Sequence, residues 1–431
     1  MLAQDDTQPV SPRLQQLRAE LDGGDADEPA RFWAEVAAAG SPLIERLPDD
    51  PAACLVTFLW RETEPIENVV VVEELGERDP TLQSKRMTKL AGSDVWFRTL
   101  RLRSDLLGSY QLLTNDTFRN LRQDPDAESR YARMQRDPLN PHGIVPDHPV
   151  LGDITDWEHE TALVLPDAPA LPGIRPRADA PHGEVRETRF ASAIMGAEYR
   201  LWIHLPADDP GDAAPHRLLL QVDGEWCVGM LDLPWLLDSL LADGAIPPLV
   251  TVLIDTPNRE GDLPCNPAFA DFLADELIPH LRETFAMAEG PQSVIAAGQS
   301  YGGLAAAWVA LKRPDAIGNA FCQSGAFWWG PGHVDGPDAP EPERGADFAW
   351  LPGYVARAPL ADVRFWLEAG VLEDRPYKRV PSLLSSNRHL RDVLLAKGYN
   401  VAYREFPAGH DFHVWRGLYP DGLIHLTRDA G

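Results

Sequence analysis

The sequence is poor in basic residues, with 39 Lys and Arg against 66 Asp and Glu, and its formal net charge is −27 at pH 7. A generic nucleic-acid-binding protein needs a basic face that neutralises phosphates, so this balance excludes that class and predicts no nucleic-acid partner. The same acidity means that an anionic small molecule can bind only where a local group of cations offsets the overall charge.

Long apolar runs and paired cysteines are also missing. No run of 18 apolar residues occurs, so no membrane-spanning segment is expected, and the first ten residues lack the basic start and apolar stretch of a secretory signal. Cys54, Cys227, Cys265 and Cys322 are far apart and form no C-x-x-C pair, so neither a metal site nor a disulfide framework is indicated. These absences predict a reduced, cytoplasmic protein without a protein-bound metal.

The length of 431 residues predicts two or three domains, and the character of the sequence changes along the chain. The first fifty residues are acidic and contain one helical pattern, over Pro29–Ala39. From Cys54 onward, short runs rich in Val, Phe, Trp and Tyr are separated by Pro, Gly and Asp, which is typical of an antiparallel sandwich. An all-β domain with a Pro-rich linker is therefore predicted over residues 1–165.

The second half alternates strand and helix patterns. The run Pro248–Ile254 is apolar almost throughout, as expected for a strand buried on both faces, and Ala268–Phe285 carries apolar residues at helical spacing. Further strand patterns cover Tyr199–Leu205, Arg217–Val222, Ser293–Ala297, Asn319–Cys322, Val363–Leu367 and Val401–Phe406. This alternation predicts the α/β class, with a doubly wound and mostly parallel sheet, over residues 180–431.

The clearest chemical signal is the segment Gly298-Gln299-Ser300-Tyr301-Gly302-Gly303, between an apolar strand pattern and an Ala-rich helix pattern. It matches G-x-S-x-G in the strand–turn–helix context of the α/β-hydrolase nucleophile elbow. Glycine is needed on both sides of the serine because the turn packs backbone against backbone, and the helix start favours negative charge there. Ser300 is therefore the candidate nucleophile, and the alternative is a Gly-rich turn with an incidental serine.

A serine hydroxyl needs a base, and in this fold the order along the chain is serine, acid, histidine. His410 and His413 follow the last strand pattern, and His410 comes directly after Gly409, in the loop where such sheets place their sites. We predict His410 as the base, in preference to His413. The other histidines after the serine, His333, His389 and His425, are interpreted as surface residues.

The acid is expected after the preceding strand pattern, where Glu373 and Asp374 are adjacent. Only one carboxylate needs to hold the imidazole through its second nitrogen, and spacing does not separate the two. Asp411 is a third candidate, although neighbours in sequence seldom point toward each other. The oxyanion needs two backbone N–H groups, expected from Tyr301 and from the D-G-E-W loop, at Glu225 or Trp226.

Several segments resemble the enterochelin (enterobactin) esterase family. In the second half these are L-L-L-Q-V-D-G-E-W, V-L-I-D-T-P-N-R-E-G-D-L-P-C-N, A-A-G-Q-S-Y-G-G-L-A-A, C-Q-S-G-A-F-W-W, L-E-A-G-V-L-E-D and A-G-H-D-F-H-V-W-R. In the first half, K-R-M-T-K-L-A-G-S-D-V-W-F-R-T-L resembles the family's N-terminal domain and D-P-L-N-P its connecting segment. The likeness extends over residues 55–431 in the same order.

The resemblance implies an immunoglobulin-like sandwich followed by an α/β-hydrolase domain, in a cytoplasmic enzyme that hydrolyses ferric catecholate siderophores and releases iron. It implies an acyl-enzyme on the serine and no cofactor, since iron arrives with the substrate. The family's acid lies three residues beyond L-E-A-G, which favours Glu373 over Asp374. The segment Pro331–Gly345 is longer and more acidic than the family pattern, which bears on the shape of the substrate.

A ferric tris-catecholate carries several negative charges, so we looked for cations and aromatic rings that could bind it. Residues 84–103 contain one carboxylate, Asp94, and six cations, Lys85, Arg86, Lys89, Arg98, Arg101 and Arg103. We predict substrate contacts from Arg259, Trp328, Trp329, Lys85 and Arg86, the tryptophans by stacking on catechol rings. The structural interpretations are a solvated sheet face for the cluster, an ion pair for Arg259 and core packing for the tryptophans.

Two other functions are compatible with these residues. One is a feruloyl or general aryl-acyl carboxylesterase of the same hydrolase branch. The other is a siderophore-binding protein without catalysis, against which the joint presence of serine, acid and histidine argues.

Overall fold

The computed structural model describes residues 10–25, 27–73, 75, 79, 81–121, 123–141, 160–171, 177, 179–207, 215–333, 348–375 and 380–428. These residues form two compact units, one of residues 10–141 and 160–170 and one of residues 171–428. The predicted domain bounds, 1–165 and 180–431, include residues outside the described ranges and stay a prediction.

The first unit contains two antiparallel sheets and three helices. Its helices are α1 (Pro12–Asp22), α2 (Glu28–Ala39) and α3 (Ala127–Ala132). Its strands are β1 (Leu43–Leu47), β2 (Asp50–Arg61), β3 (Val69–Glu73), β4 (Thr88–Lys89), β5 (Val95–Arg103), β6 (Leu107–Thr114) and β7 (Thr161–Val164). The strand orders are β1-β2-β5-β4 and β3-β6-β7.

Aromatic and aliphatic side chains hold this unit together. The Phe58 ring of β2 packs edge-on against the Tyr110 ring of β6, with centroids 4.8 Å apart, and so joins the two sheets. Helix α2 starts one residue before the predicted helix and buries Phe32 and Val36 against Leu59 of β2. The apolar positions of α2 repeat at helical spacing, and this is why its pattern was readable from the sequence.

The second unit is a single sheet surrounded by helices. Its strands are β8 (Glu184–Ser192), β9 (Ala197–Leu205), β10 (Arg217–Val222), β11 (Leu249–Ile254), β12 (Val294–Gln299), β13 (Asn319–Gln323), β14 (Arg364–Gly370) and β15 (Asn400–Phe406). Its helices are α4 (Gly224–Gly229), α5 (Leu233–Ala242), α6 (Arg259–Asp262), α7 (Pro267–Asp271), α8 (Ile278–Thr284), α9 (Tyr301–Lys312), α10 (Trp350–Arg357), α11 (Leu383–Lys397) and α12 (Phe412–Thr427).

The strand order is β15-β14-β13-β12-β10-β11-β9-β8, in which β10 to β15 are parallel and β9 and β8 are antiparallel to their neighbours. Phe321 of β13 packs on Tyr419 of α12, while its neighbours Ala320 and Cys322 point to the other face and join a core with α9. Helices therefore cover both faces, and the predicted α/β class with a mostly parallel sheet is confirmed.

Three elements differ from the sequence patterns. The described part of the first fifty residues contains two helices and not one, because α1 (Pro12–Asp22) was not recognised among its many polar residues. Strand β8 was not recognised, because it is an edge strand whose residues are mostly exposed and polar. The helix predicted over Ala268–Phe285 is divided between α7 and α8 by a wider π-helical segment, Phe272–Leu277. Among the described residues, no helix is long and apolar enough to cross a membrane.

The sheet register brings the strand ends that matter to one edge. Gln299, Gln323 and Glu368 are aligned across β12, β13 and β14, and Gly370 pairs with Phe406 of β15. Residues that directly follow these strands therefore gather at the carboxyl edge, where sheets of this kind bind ligands.

Candidate active site

Ser300 occupies a sharp turn between β12 and α9. Its φ of 56° and ψ of −117° lie outside the regular regions, a strained conformation that presents the side chain at the apex of the turn. A Cβ on Gly298 would lie 2.4 Å from the carbonyl carbon of Gly302, so a side chain there would collide with the start of the helix. The turn thus requires glycine at position 298, while Gly302 is required by β10, since a Cβ there would lie 2.8 Å from Val222 Cγ2.

Backbone hydrogen bonds fix the turn in place. The Ser300 N–H donates to the Gln323 carbonyl of β13 (3.0 Å), and the Leu304 N–H donates to the Ser300 carbonyl (3.1 Å) as the first bond of α9. The amide of Tyr301, one predicted oxyanion donor, precedes that first intrahelical bond. It therefore lies at the helix end where negative charge is stabilised.

The structure places Glu373 beside His410. Glu373 ends a short 3₁₀ turn after β14, where its Oε2 accepts a hydrogen bond from the Gly370 N–H (2.7 Å) and its Oε1 lies 2.5 Å from His410 Nδ1. Burial of the carboxylate side chain, 3% exposed, means that few other partners compete for it.

The other two candidate acids have different partners. Asp374 accepts a hydrogen bond from the Ser382 hydroxyl (2.7 Å) just before α11. Asp411 is the N-cap of α12 and accepts from the Val414 N–H (3.1 Å). The three carboxylates near one another in sequence therefore point to three separate places.

His410 is oriented from its other side by Trp415 of α12. The two rings meet edge-on with centroids 4.6 Å apart, and the Trp415 indole N–H donates to the Ser324 hydroxyl (3.0 Å) directly after β13. No hydrogen bond joins Ser300 Oγ to His410 Nε2 within the described ranges. Such contacts are often long in unliganded hydrolases and shorten in the substrate complex.

His413 is the histidine that the sequence analysis did not favour as base. It is 5% exposed, and in the part of the chain that the structure describes neither ring nitrogen has a hydrogen-bond partner. Burial, with a smaller contribution from the Arg416 charge, lowers the pKa of His413 to about 3. The ring is thus neutral at physiological pH. It is unsuited to act as a general base, because a general base must gain and lose a proton near pH 7.

The buried His413 makes the stability of the protein sensitive to acid. Its pKa is lower in the folded state than the ordinary 6.5, so the free energy of unfolding is highest above pH 6.5 and falls as the pH decreases toward 3. Between pH 7 and pH 5, we expect the free energy of unfolding of His413→Leu to fall by about 2 kcal/mol less than that of the wild type. Denaturant unfolding at both pH values measures this, with His389→Leu on the exposed side of α11 as the control. Equal losses in all three proteins would contradict it.

The D-G-E-W loop follows β10 and begins α4. Asp223 has a φ of 58°, and a Cβ on Gly224 would lie 2.8 Å from the backbone of Leu253, so the loop packs closely on β11. The Cys227 N–H donates to the Asp223 carbonyl (3.1 Å) as the first bond of α4. The amide of Trp226, the second predicted oxyanion donor, precedes that bond, as does the amide of Glu225.

Arg259, at the start of α6, is held by Asp223. Its Nε and Nη2 donate to the two carboxylate oxygens of Asp223 at 2.9 and 3.0 Å. Its guanidinium carbon also lies 4.9 Å from the centre of the Trp226 ring and 5.4 Å from that of Tyr301, within cation–π range of both. Arg259 is thus placed between the two predicted oxyanion loops, and its Nη1 donates to none of the described residues.

The two tryptophans after β13 have different surroundings. The Trp328 ring lies 5.9 Å from the Tyr301 ring and 4.7 Å from that of His333, next to the residue that follows the nucleophile. Trp329 packs against Trp350 of α10, with centroids 6.4 Å apart. Most of the segment Pro331–Gly345 lies outside the described residues.

The cations of residues 84–103 are paired within the first unit. Lys85 is 4% exposed, and its ammonium contacts the carboxylate and the carbonyl of Glu73, the carboxylate that also accepts from Arg98 (2.9 Å). Arg86 lies with its guanidinium 5.7 Å from the centre of the Phe118 ring. The other three pair with carboxylates, Lys89 with Glu62, Arg101 with Asp50 and Arg103 with Asp105.

The burial of Lys85 does not support the predicted contact with a substrate, because its ammonium is enclosed by its own unit. A window of sequence reports only the charges within it, whereas the neutralising carboxylates lie outside residues 84–103. The role predicted for Arg86 stays a prediction. Asp223 was missed in the sequence, although its place directly after β10 and beside the oxyanion loop was a usable signal.

Comparison with known proteins gives matches over both units. Residues 192–426 match the family model described as putative esterase, and residues 55–174 match the model described as enterochelin esterase, N-terminal. The iron(III) enterobactin esterase of Escherichia coli O6:H1 (strain CFT073) is 29% identical over 398 residues, which cover 89% of this chain and 94% of that protein. The iron(III) salmochelin esterase of the same strain is 27% identical over 422 residues, which cover 94% and 96%.

The structural likeness agrees with these sequence matches. A crystal structure of the enterobactin esterase of Shigella flexneri in the presence of enterobactin has a TM-score of 0.67 to this chain, with 28% identity, and the match covers 90% of this chain and 95% of that one. The predicted order of an N-terminal β domain followed by an α/β-hydrolase domain is thereby confirmed.

Proposed function

Because the chain belongs to the putative esterase family, it is a carboxylic ester hydrolase, and we propose that it cleaves the trilactone esters of ferric catecholate siderophores of the enterobactin type. The observation that carries the chemistry is the 2.5 Å contact between Glu373 and His410, at the same sheet edge as the Ser300 turn. The substrate class rests on the relatives, which are iron(III) enterobactin and salmochelin esterases matched over both units.

In the proposed mechanism, Ser300 Oγ attacks the ester carbonyl while His410 Nε2 takes the hydroxyl proton. Glu373 holds the Nδ1–H and stabilises the imidazolium that forms. The amides of Tyr301 and Trp226 donate to the oxyanion, and His410 returns the proton to the departing seryl hydroxyl, which leaves an acyl group on Ser300. Water activated by His410 then releases the acid and restores the serine. Iron takes part as a component of the substrate.

Arg259 and Trp328 are the groups that we propose as contacts for the catecholate. The guanidinium of Arg259 uses two donors on Asp223 and retains Nη1 for an anionic oxygen near the scissile ester. Trp328, partly exposed beside Tyr301, offers a face for a catechol ring. Trp329 offers less ring surface for stacking on a catechol, since Trp350 packs against its ring.

Arg259→Ala should raise the KM for the ferric catecholate by about tenfold or more, because a charged hydrogen bond to a partly buried group is lost. A neutral aryl ester should be affected much less. Steady-state kinetics on both substrates measure this, and Arg391→Ala, which removes a partly exposed cation from α11, is the control for overall charge. Equal impairment of charged and neutral substrates would mean that Arg259 acts only as the ion-pair partner of Asp223.

Chromatography of the products formed from ferric and iron-free trilactones tests the proposed function. We expect linear catecholoyl-serine products from the wild-type protein, and a panel of aryl acyl esters should be turned over more slowly. Faster turnover of the panel would favour a general aryl-acyl esterase, and no turnover of any ester would contradict the proposal. We also propose that the reaction takes place in the cytoplasm, where the four free, buried cysteines would stay reduced.

A further inference from the structure

A row of polar side chains crosses the sheet directly beneath the nucleophile. Strands β10, β12, β13 and β14 each place one glutamine or glutamate near the carboxyl end, and all four are buried, with at most 3% exposure. We call this set the amide ladder, and its members are Gln221, Gln299, Gln323 and Glu368. Gln299 is the residue before the nucleophile.

The members of the amide ladder are joined by hydrogen bonds that all run in one direction. The Gln221 amide donates to Gln299 (3.1 Å), Gln299 donates to Gln323 (2.8 Å), and Gln323 donates to the Glu368 carboxylate (2.6 Å). A charged acceptor at the end of such a series polarises the bonds before it and strengthens them. The amide ladder is therefore a connected unit across four strands.

Both ends of the amide ladder are linked to helix α12 by hydrogen bonds, one directly and the other through Arg404. The Tyr419 hydroxyl donates to Gln221 Oε1 (2.9 Å) at one end. At the other end Arg404 of β15 bridges Glu368 (2.6 Å) and Asp421 (2.5 Å). In the middle, Gln323 Nε2 also donates to the Trp415 carbonyl (2.9 Å). Three points along α12 are thus fastened to the sheet, and α12 begins two residues after His410.

The same strand end contacts Ser300 directly and His410 through Trp415. The Gln323 carbonyl accepts the Ser300 N–H (3.0 Å), while Ser324 accepts from the Trp415 indole that packs on the His410 ring. Buried polar groups cost free energy unless they are fully paired, and apolar residues of similar size would stabilise a sheet at least as well. What a connected polar network adds is a single relative position of the elements that it joins.

We propose that the amide ladder is a positioning network that sets the distance between Ser300 and His410 by fastening α12 to the strand ends beneath the nucleophile. Its members are positioning residues, since none of them is expected to touch the substrate. The inference rests on the catalytic roles proposed for Ser300 and His410.

Gln323→Met tests the proposal, because it keeps the length of the side chain and removes both donors. The matched control is Asn319→Leu, at the opposite end of the same strand. Asn319 is also fully buried, and its amide donates to the Gln292 and Val294 carbonyls (both 3.0 Å), far from the carboxyl edge. Both variants lose two buried donors and one acceptor, because Gln323 Oε1 accepts from Gln299 and Asn319 Oδ1 accepts from Arg364 (both 2.8 Å). They should therefore be destabilised to a similar extent.

Two rates are measured at a temperature below the thermal unfolding midpoint of every variant. They are the rate of covalent labelling of Ser300 by an aryl phosphonate and the rate of turnover of an aryl ester. For Gln323→Met we expect kcat and the labelling rate to fall by about ten- to a hundredfold with KM nearly unchanged, as for a misplaced base. Asn319→Leu should keep both rates within about 1.5-fold of the wild type. If Gln323→Met does not fold, Tyr419→Phe, which removes one hydroxyl at the far end, should still lower kcat by about threefold.

The outcomes separate the two levels of inference. A wild-type protein that is not labelled would overturn the proposed function and the positioning role with it. A labelled wild type in which Gln323→Met reacts no more slowly than Asn319→Leu would overturn the positioning role alone. For a Gln323→Met variant that does not fold, an unchanged kcat in Tyr419→Phe would have the same meaning.

Discussion

Ser300→Ala is expected to lower the turnover of a catecholate trilactone by at least about a thousandfold while leaving its binding nearly unchanged. The nucleophile contributes to the transition state and little to ground-state binding, and loss of the nucleophile costs at least that much in serine hydrolases. Turnover is followed by product chromatography, and binding of the ferric ligand by quenching of tryptophan fluorescence.

The turn itself should survive this substitution. Alanine meets the same backbone strain at a φ of 56° as serine does, and the bonds from the Ser300 N–H and to its carbonyl involve only the main chain. Ser293→Ala is the control, because that serine precedes the other end of β12 and its hydroxyl donates to the Ala288 and Gly290 carbonyls. It should retain full turnover. Residual activity of Ser300→Ala above about a thousandth would mean that another group is the nucleophile.

Glu373→Gln is expected to reduce kcat by about a hundredfold or more, whereas Asp374→Asn should change it by less than about threefold. The amide in Glu373→Gln can still accept the Gly370 N–H, but it carries no charge to stabilise the His410 imidazolium and can impose the wrong tautomer. Asn at position 374 can still accept from the Ser382 hydroxyl. The pair is a matched comparison, since each change replaces one carboxylate by its amide at adjacent positions.

Steady-state kinetics of the two variants on one ester provide the measurement. A larger loss in Asp374→Asn would reverse the assignment of the acid. Small and equal losses in both would indicate that Ser300 and His410 work as a dyad with no committed acid. A reduced KM together with a reduced kcat in Glu373→Gln would point to substrate strain and away from a role in orienting the base.

Much of this site could be predicted because its signals are local. The Ser300 turn needs glycine at position 298 for a reason that lies in the turn itself, whereas a Cβ on Gly302 would meet the Val222 side chain of β10 (2.8 Å). The motif can therefore be recognised without a structure, although the reason for its second glycine cannot. The strands before Ser300 and Glu373 are rich in buried apolar residues, and the strand before His410 is an edge strand with Val, Tyr and Phe among polar residues. Parallel strands in one sheet must bring their carboxyl ends to a common edge. These features placed the serine and the histidine candidate at that edge.

The choice between Glu373 and Asp374 was not available from spacing. One residue of difference along a 3₁₀ turn rotates the side chain by about a third of a turn, which separates His410 from Ser382 as partner. The resemblance to a family favoured Glu373, and the described contacts agree with that preference.

The partners of charged and polar side chains could not be predicted from the sequence. The basic stretch at residues 84–103 suggested a surface for an anion, but five of its six cations pair with carboxylates that lie outside the stretch, and Lys85 is enclosed. The amide ladder was invisible for the same reason, because its four members are separated in sequence and each is an ordinary glutamine or glutamate at the end of a strand pattern. Tyr419 reaches Gln221 across 198 positions.

The sequence by itself determined the α/β class, the order of the serine, acid and histidine candidates along the chain, and the nucleophile turn. The class and the turn depend on the backbone conformations and burial of neighbouring residues. Only the tertiary structure decided which carboxylate contacts His410, that Arg259 is held by Asp223 and that α12 is fastened to the sheet. Those contacts join residues tens to hundreds of positions apart. A hydrogen bond also requires the donor–acceptor distance to be correct to within a few tenths of an ångström and the side chain to point toward its partner. No local pattern carries that information.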